Sequence, residues 1–119
     1  MKIAISAMRP DVEANVDERF GRAHSFMIYD SDSDSWQSIE NNPNLNAVQG
    51  AGIQTAQMLA NSGAQVLLTG HCGPKAFRVL GAAGIKVYTG CSGSISQTLA
   101  AFQSGELKPA ENADVQGHW

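Results

Sequence analysis

The stretch VLLTGHCGPKAFRVLGAAGIKVYTGCSG, residues 66–93, contains one unit twice. A short apolar run, at 66–68 and again at 86–88, is followed each time by Thr-Gly-x-x-Gly, at 69–73 and at 89–93. Each copy holds one of the chain's two cysteines, Cys72 and Cys91. Between the copies Pro74 suits the first turn of a helix, where its missing N–H costs nothing. Ala76, Val79, Leu80 and Ala83 line one side of that helix, Lys75 and Arg78 lie on the other, and Gly84 ends it. Strand, helix, strand is the unit of an open α/β sheet, whose parallel strands release their loops at one carboxyl edge, where ligands bind. His71, Cys72 and Cys91 are therefore expected to meet in one crevice.

Outward from this unit the elements follow in order. KIAISA, at 2–7, reads as a buried strand with Ile3 and Ile5 facing one layer, and 8–16 as a loop over the strand ends. DERFGRAH, at 17–24, holds Arg19 and Arg22 around Phe20-Gly21 and leads into a strand at 25–29 with Phe26 and Ile28 on one face. DSDSDS, at 30–35, resembles the opening of a calcium loop, but Ser35 and Asn41 stand where that loop needs Gly and Glu, so it reads as a hairpin turn into a strand at 36–40. A loop at 41–46 precedes a helix over 49–62 with Ile53, Ala56, Leu59 and Ala60 inward. Ser94 and Gln97 form a capping box for a last helix that buries Ile95, Leu99 and Phe102 and stops at Gly105. Right-handed crossovers then give a three-layer α/β fold, a mixed sheet of about five strands with helices on both faces and the hairpin as an antiparallel edge. That layout is like ribonuclease H.

At 119 residues the chain reads as one domain, 1–107, with a polar, loosely held tail at 108–119 that ends in His118-Trp119. A formal net charge of −3 gives no general attraction for nucleic acid or anionic membrane. No apolar run approaches a membrane span and the start lacks the form of a signal peptide, so the expectation is a cytoplasmic protein with free thiols.

Several chemistries fit the expected crevice. Two thiolates and an imidazole suit copper(I), zinc or a sulfur-rich cluster, but three ligands without a Cys-x-x-Cys pair make a tight structural ion a poor fit. An anionic preformed cluster fits better, held by the N-terminal amides of helices starting at Gly73 and Gly93 and by Arg19, Arg22, His24 and Lys75. His71-Cys72, five residues, then Arg78 also spells the His-Cys-x5-Arg pattern of cysteine-dependent phosphatases and reductases. There Pro74 removes an amide from the phosphate nest, and Val79 replaces the usual hydroxyl residue. A two-metal nuclease needs carboxylates on the central strand, and 2–7 has none. The remaining readings are a metal-free regulatory or interaction domain, and two cysteines that are inert small residues in tight turns.

The motifs carry a resemblance. DERFGRAHSFMIYD at 17–30, Gly50-Ala51-Gly52 and TGHCGPKAFRVLGAAGIKVYTG at 69–90 are similar to the dinitrogenase iron-molybdenum cofactor biosynthesis family, which includes NifX-like and NifY-like carriers and the C-terminal domain of NifB. The likeness runs from Lys2 to about residue 107. It implies a ribonuclease-H-like fold, no catalytic residues, and binding, storage or transfer of metal-sulfur clusters. Small stand-alone members with this pattern imply a labile molybdenum-containing cluster, either a molybdenum-copper sulfide or an iron-molybdenum precursor, and an unidentified cluster donor or acceptor protein. Arg19, Phe20, Gly21 and Arg22 fall on the family's arginine motif, and Gly70 to Pro74 on its glycine-proline loop. The crevice reading and the resemblance together give candidate cofactor contacts at Arg19, Arg22, His24, Gly70, His71, Cys72, Gly73, Lys75, Gly90, Cys91, Ser92 and Gly93, with His71, Cys72 and Cys91 as the crevice's candidate metal ligands. Many relatives have Asn-x-Gly-Pro at 71–74, so the cysteines are not a family-wide ligand set.

Overall fold

In a computed structural model of the chain the described residues are 1–41 and 51–113. Five strands form one sheet: β1 (Lys2–Ala7), β2 (Ser25–Asp30), β3 (Ser35–Glu40), β4 (Val66–Leu68) and β5 (Lys86–Tyr88). Their order is β3-β2-β1-β4-β5, with β2 antiparallel to both β1 and β3, and with β1, β4 and β5 parallel. This is the expected mixed sheet with a hairpin edge. The helices are α1 (Ala51–Ser62), α2 (Pro74–Ala82) and α3 (Ile95–Gln103). The rest of the expected 41–46 loop and the first two residues of the expected 49–62 helix lie outside the described residues.

Strand alternation builds two cores. Ala4, Phe26, Ile28, Leu67 and Val87 face one layer and pack with Ala56 and Leu59 of α1 and Ala76 and Leu80 of α2. Ile3, Ile5, Met27, Tyr29, Val66, Leu68 and Tyr88 face the other and pack with Ile95 and Leu99 of α3. Side chains point alternately along a strand, so β1, covered on both faces, needs apolar residues at nearly every position.

Three local expectations shift. Helix α1 buries Ala51, Thr55, Ala56 and Leu59, while Ile53 and Ala60 are half-buried. Its face is turned so that Gly52 meets Gly21 and the Thr55 hydroxyl reaches Asn41. Ala83 is exposed, because α2 ends at Ala82 and Gly84, at φ +78°, turns the chain away. The tail begins more firmly than its polarity suggested: Leu107 packs on the second core, and the Ala110 N–H donates to the Val87 carbonyl at 2.7 Å. His118 and Trp119 lie outside the described residues. Among those described, no helix is long and apolar enough to cross a membrane.

Candidate functional site

Beyond the carboxyl ends of β1, β4 and β5 the chain continues to pair, and the loops join in a seam. The Asp17 N–H donates to the Ser6 carbonyl at 2.8 Å and the Ser6 hydroxyl donates to the Asp17 carbonyl at 2.7 Å. Ser6 thereby uses its one proton, so the 2.8 Å contact with Thr69 is a bond that Thr69 donates. The His71 N–H donates to Glu18 O (2.7 Å), and the Phe20 N–H to His71 O (3.2 Å). The Gly90 N–H donates to Gly70 O (2.8 Å), and the Cys91 N–H to Thr69 O (3.1 Å). Gly70 has to be glycine: a Cβ there would lie 2.6 Å from Glu18 Cα.

The arginine motif is anchored from below. Phe20 is fully buried and meets Phe26 edge-on, with centroids 5.6 Å apart. A Cβ on Gly21 would sit 2.8 Å from the backbone of Gly52, and one on Gly52 would sit 3.3 Å from the Ala76 Cβ, so the motif, the start of α1 and the first turn of α2 are contiguous. The buried Asp17 carboxylate accepts from the backbone N–H of Arg19 (3.1 Å) and of His24 (3.4 Å). Asn41, also fully buried, donates through its side-chain amide to Gly21 O (3.3 Å) and Ala23 O (2.9 Å), the carbonyls on either side of Arg22. Its own carbonyl accepts from the buried Thr55 hydroxyl at 3.2 Å. Sequence reasoning missed Ser6, Asp17, Asn41 and Thr55. The Asp before the arginine motif was a visible signal; the other three have no marker in a single sequence.

The amides do not fall as expected. His71, Gly90 and Cys91 N–H groups are taken up in the seam. Helix α3 also offers none, because Ile95 and Ser96 donate to Ala14 O and Val12 O, and the capping box pairs Gln97 N–H with Ser94 Oγ and Ser94 N–H with Gln97 Oε1. Of the two helix ends expected to offer amides, that of α3 is already satisfied. Helix α2 starts at Gly73 with no side-chain cap and Pro74 in its first turn, and the N–H groups of Lys75 and Ala76 have no acceptor among the described residues. Those amides carry the helix's partial positive charge.

The two cysteines are not brought together. Cys72 is fully buried in the core under α1 and α2, its thiol 3.7 Å from Gly73 O; Cys91 is buried in the core under α3, its thiol 3.7 Å from Tyr88 O. They lie on opposite sides of the sheet. The two copies differ in register and in backbone: Cys72 is the fourth residue of its Thr-Gly-x-x-Gly unit and Cys91 the third, and Gly90 and Gly93 turn at φ +74° and +87° where Gly73 stands at −76°. Among the described residues no three His, Cys, Asp or Glu side chains are placed to hold a metal ion. Nor is the His-Cys-x5-Arg pattern a phosphate cradle here, since Cys72 is inside the core and Arg78 is an exposed residue of α2.

Burial pushes the Cys91 thiol up to about 11, which leaves roughly one molecule in ten thousand as thiolate at pH 7. Both thiols are expected to stay unmodified by a disulfide reagent in the native protein at pH 7 and to react fully on unfolding in guanidinium. Rapid native reaction of either would contradict the burial.

The remaining candidates are peripheral. Arg19 is half-exposed, with Nε 3.9 Å from an Asp17 oxygen, and with Ser92 and Gly93 it lines a cleft of about 480 Å³ that also takes in Met8, Asn15 and Glu18. Arg22 and His71 are half-buried, and His24, Lys75 and Gly90 are exposed. Gly70 and Gly73 are buried in the seam.

The dinitrogenase iron-molybdenum cofactor family model matches residues 1–105. The structure is similar to that of the apo form of the orange protein from Desulfovibrio gigas, at 40% identity over 96% of each chain and a TM-score of 0.94. It is also similar to the solution structure of a putative NifB protein from Thermotoga, at 32% identity over 98% of each chain and a TM-score of 0.85. An uncharacterized protein of Methanocaldococcus jannaschii is 31% identical over 113 residues, 93% of this chain and 92% of that one.

Proposed function

The chain belongs to the dinitrogenase iron-molybdenum cofactor family, and on that premise we propose that it binds and carries an anionic metal-sulfur cluster, acting as carrier or store and not as an enzyme. The cluster contains molybdenum, as a molybdenum-copper sulfide or an iron-molybdenum precursor. The protein works in the cytoplasm, exchanging the cluster with a donor or acceptor protein.

The observation that carries this reading is the uncapped start of α2, which the Gly21-Gly52-Ala76 contact sets beside the arginine motif. Arg19, Arg22 and Lys75 add three cations to the Lys75 and Ala76 amides on a chain of net negative charge, a set suited to a polyanion. Because both thiols are buried on opposite sides of the sheet, the cluster is held by charge and amide hydrogen bonds, with His71 as the one remaining side-chain donor among the candidate ligands. The cleft beyond Arg19 is a poor site for it, since Asp17 and Glu18 line that side.

The test is reconstitution without oxygen, using tetrathiomolybdate with copper(I), followed by gel filtration, metal analysis and a visible spectrum. The wild-type chain should retain molybdenum and charge-transfer colour. Cys72→Ser with Cys91→Ser should retain it too, while Arg19→Gln, Arg22→Gln and Lys75→Gln together should weaken retention about tenfold per charge at low salt. A wild-type chain that emerges colourless and metal-free, with the iron-molybdenum precursor as well, overturns the reading. Loss in the cysteine variant alone would restore thiolate ligation.

A further inference from the structure

The outer edge of β5 is closed by the chain's own tail. Strand β5 pairs with β4 on one side only, through Lys86 N–H to Gln65 O and Thr69 N–H to Tyr88 O. In such a ladder the intervening residue turns its N–H and C=O the other way, so those of Val87 point to the open edge. After α3, Gly105 at φ +81° reverses the chain, Glu106 N–H caps back to Ala101 O, and Leu107 packs on the second core. The chain then runs alongside β5, where Ala110 N–H meets Val87 O at 2.7 Å, one of the shortest backbone hydrogen bonds outside the regular elements.

The composition of this segment fits an edge guard. Lys108 and Pro109 are exposed. Proline holds the residue before it in extended conformation and has no N–H. With Ala110 donating inward, the neighbouring nitrogen faces outward, and it is the one that carries no hydrogen. A charged lysine beside a proline is what protein sheets place where a further strand must not add.

We propose that residues 107–110 are a strap that closes the β5 edge against a second copy of this chain, making that edge a latent self-association surface. A second copy is the occupant such an edge invites, because an unguarded β5 presents the same short row of donors and acceptors on every molecule and two rows can pair about a two-fold axis.

The test uses full-length chains. The wild type should be monomeric by sedimentation equilibrium, and its Ala110 amide should exchange with deuterium about a hundredfold more slowly than in an unstructured peptide. Ala110→Pro deletes the single inward donor, and Pro109→Val puts an N–H on the outward side. Both should keep the wild-type circular dichroism, and both should dimerise at least about tenfold more tightly than wild type. In the Ala110→Pro dimer the Val87 amide should become protected. An Ala110 amide that exchanges at the unstructured rate overturns the proposal. So does a folded pair of variants that stay as monomeric as wild type, or an Ala110→Pro dimer that leaves Val87 unprotected. If a variant loses its circular dichroism, the wild-type exchange rate decides.

Discussion

Gly70→Ala is expected to cost about 3 kcal/mol or more and to pull the arginine motif off the sheet edge. The added methyl would lie 2.6 Å from Glu18 Cα and 2.7 Å from Glu18 O. Both are backbone atoms, so no rotamer change relieves the overlap; the chain at 17–19 has to move. Moving it strains the 2.7 Å bond from His71 N–H to Glu18 O, and pushing the other way strains the 2.8 Å bond from Gly90 N–H to Gly70 O. Urea unfolding of the variant should show the loss, and metal retention should fall with it, because Arg19 follows Glu18 directly. Gly90→Ala is the control. That residue has φ +74° and nothing within 4 Å of an added methyl, so its cost is conformational only, about 1–2 kcal/mol. Equal losses from the two substitutions would show that close approach at Gly70 is not what the seam depends on.

Much of this fold was legible because two periodicities are strong. A short apolar run at the start of the chain marked β1 as a buried strand, alternation marked β2, and the two gave the layers that Ile3, Ile5, Phe26 and Ile28 face. The strand–helix–strand unit placed β4, α2 and β5 to within a residue, and Ser94 with Gln97 marked the start of α3. The site was less legible, for a reason the same residues supply. The capping box that announced α3 also removes it as an anion site, since a helix end satisfied by its own side chains and by Val12 and Ala14 has nothing left to offer a ligand. A repeat of Thr-Gly-x-x-Gly suggested equivalent cysteines, yet the shift from fourth to third position sends their side chains into separate cores. The second copy also turns through Gly90 and Gly93 at positive φ where Gly73 in the first copy does not, so neither backbone nor side-chain direction carries over from one copy to the other. The family likeness found the arginine motif but gave no hint of what steadies it.

Asn41 is what steadies it, and Asn41→Leu is the substitution expected to show this, at a cost of about 3–5 kcal/mol. Leucine is of similar size and leaves the Asn41 N–H to His24 O bond intact, so the change isolates the side-chain amide. Its loss leaves Ala23 O without its 2.9 Å donor, leaves Gly21 O with a 3.4 Å contact to Thr55, and takes the nearer of its two acceptors from the Thr55 hydroxyl. Among the described residues no buried side-chain polar atom lacks a partner, so the network is complete as it stands. Each group stranded in the core costs about 1–3 kcal/mol, which is why deletion here outweighs the gain from a more apolar side chain. Thr55→Val alone should cost about 1 kcal/mol, and added to Asn41→Leu it should cost more, because the hydroxyl is then the last side-chain donor to Gly21 O. Additive losses would mean that the two side chains act separately. Binding supplies a second readout. Asn41 grips the carbonyls on both sides of Arg22, so at temperatures where Asn41→Leu remains folded its molybdenum retention should drop toward that of Arg22→Gln, and combining the two should add little. A folded Asn41→Leu chain with wild-type retention would separate the scaffold role of Asn41 from the placement of Arg22.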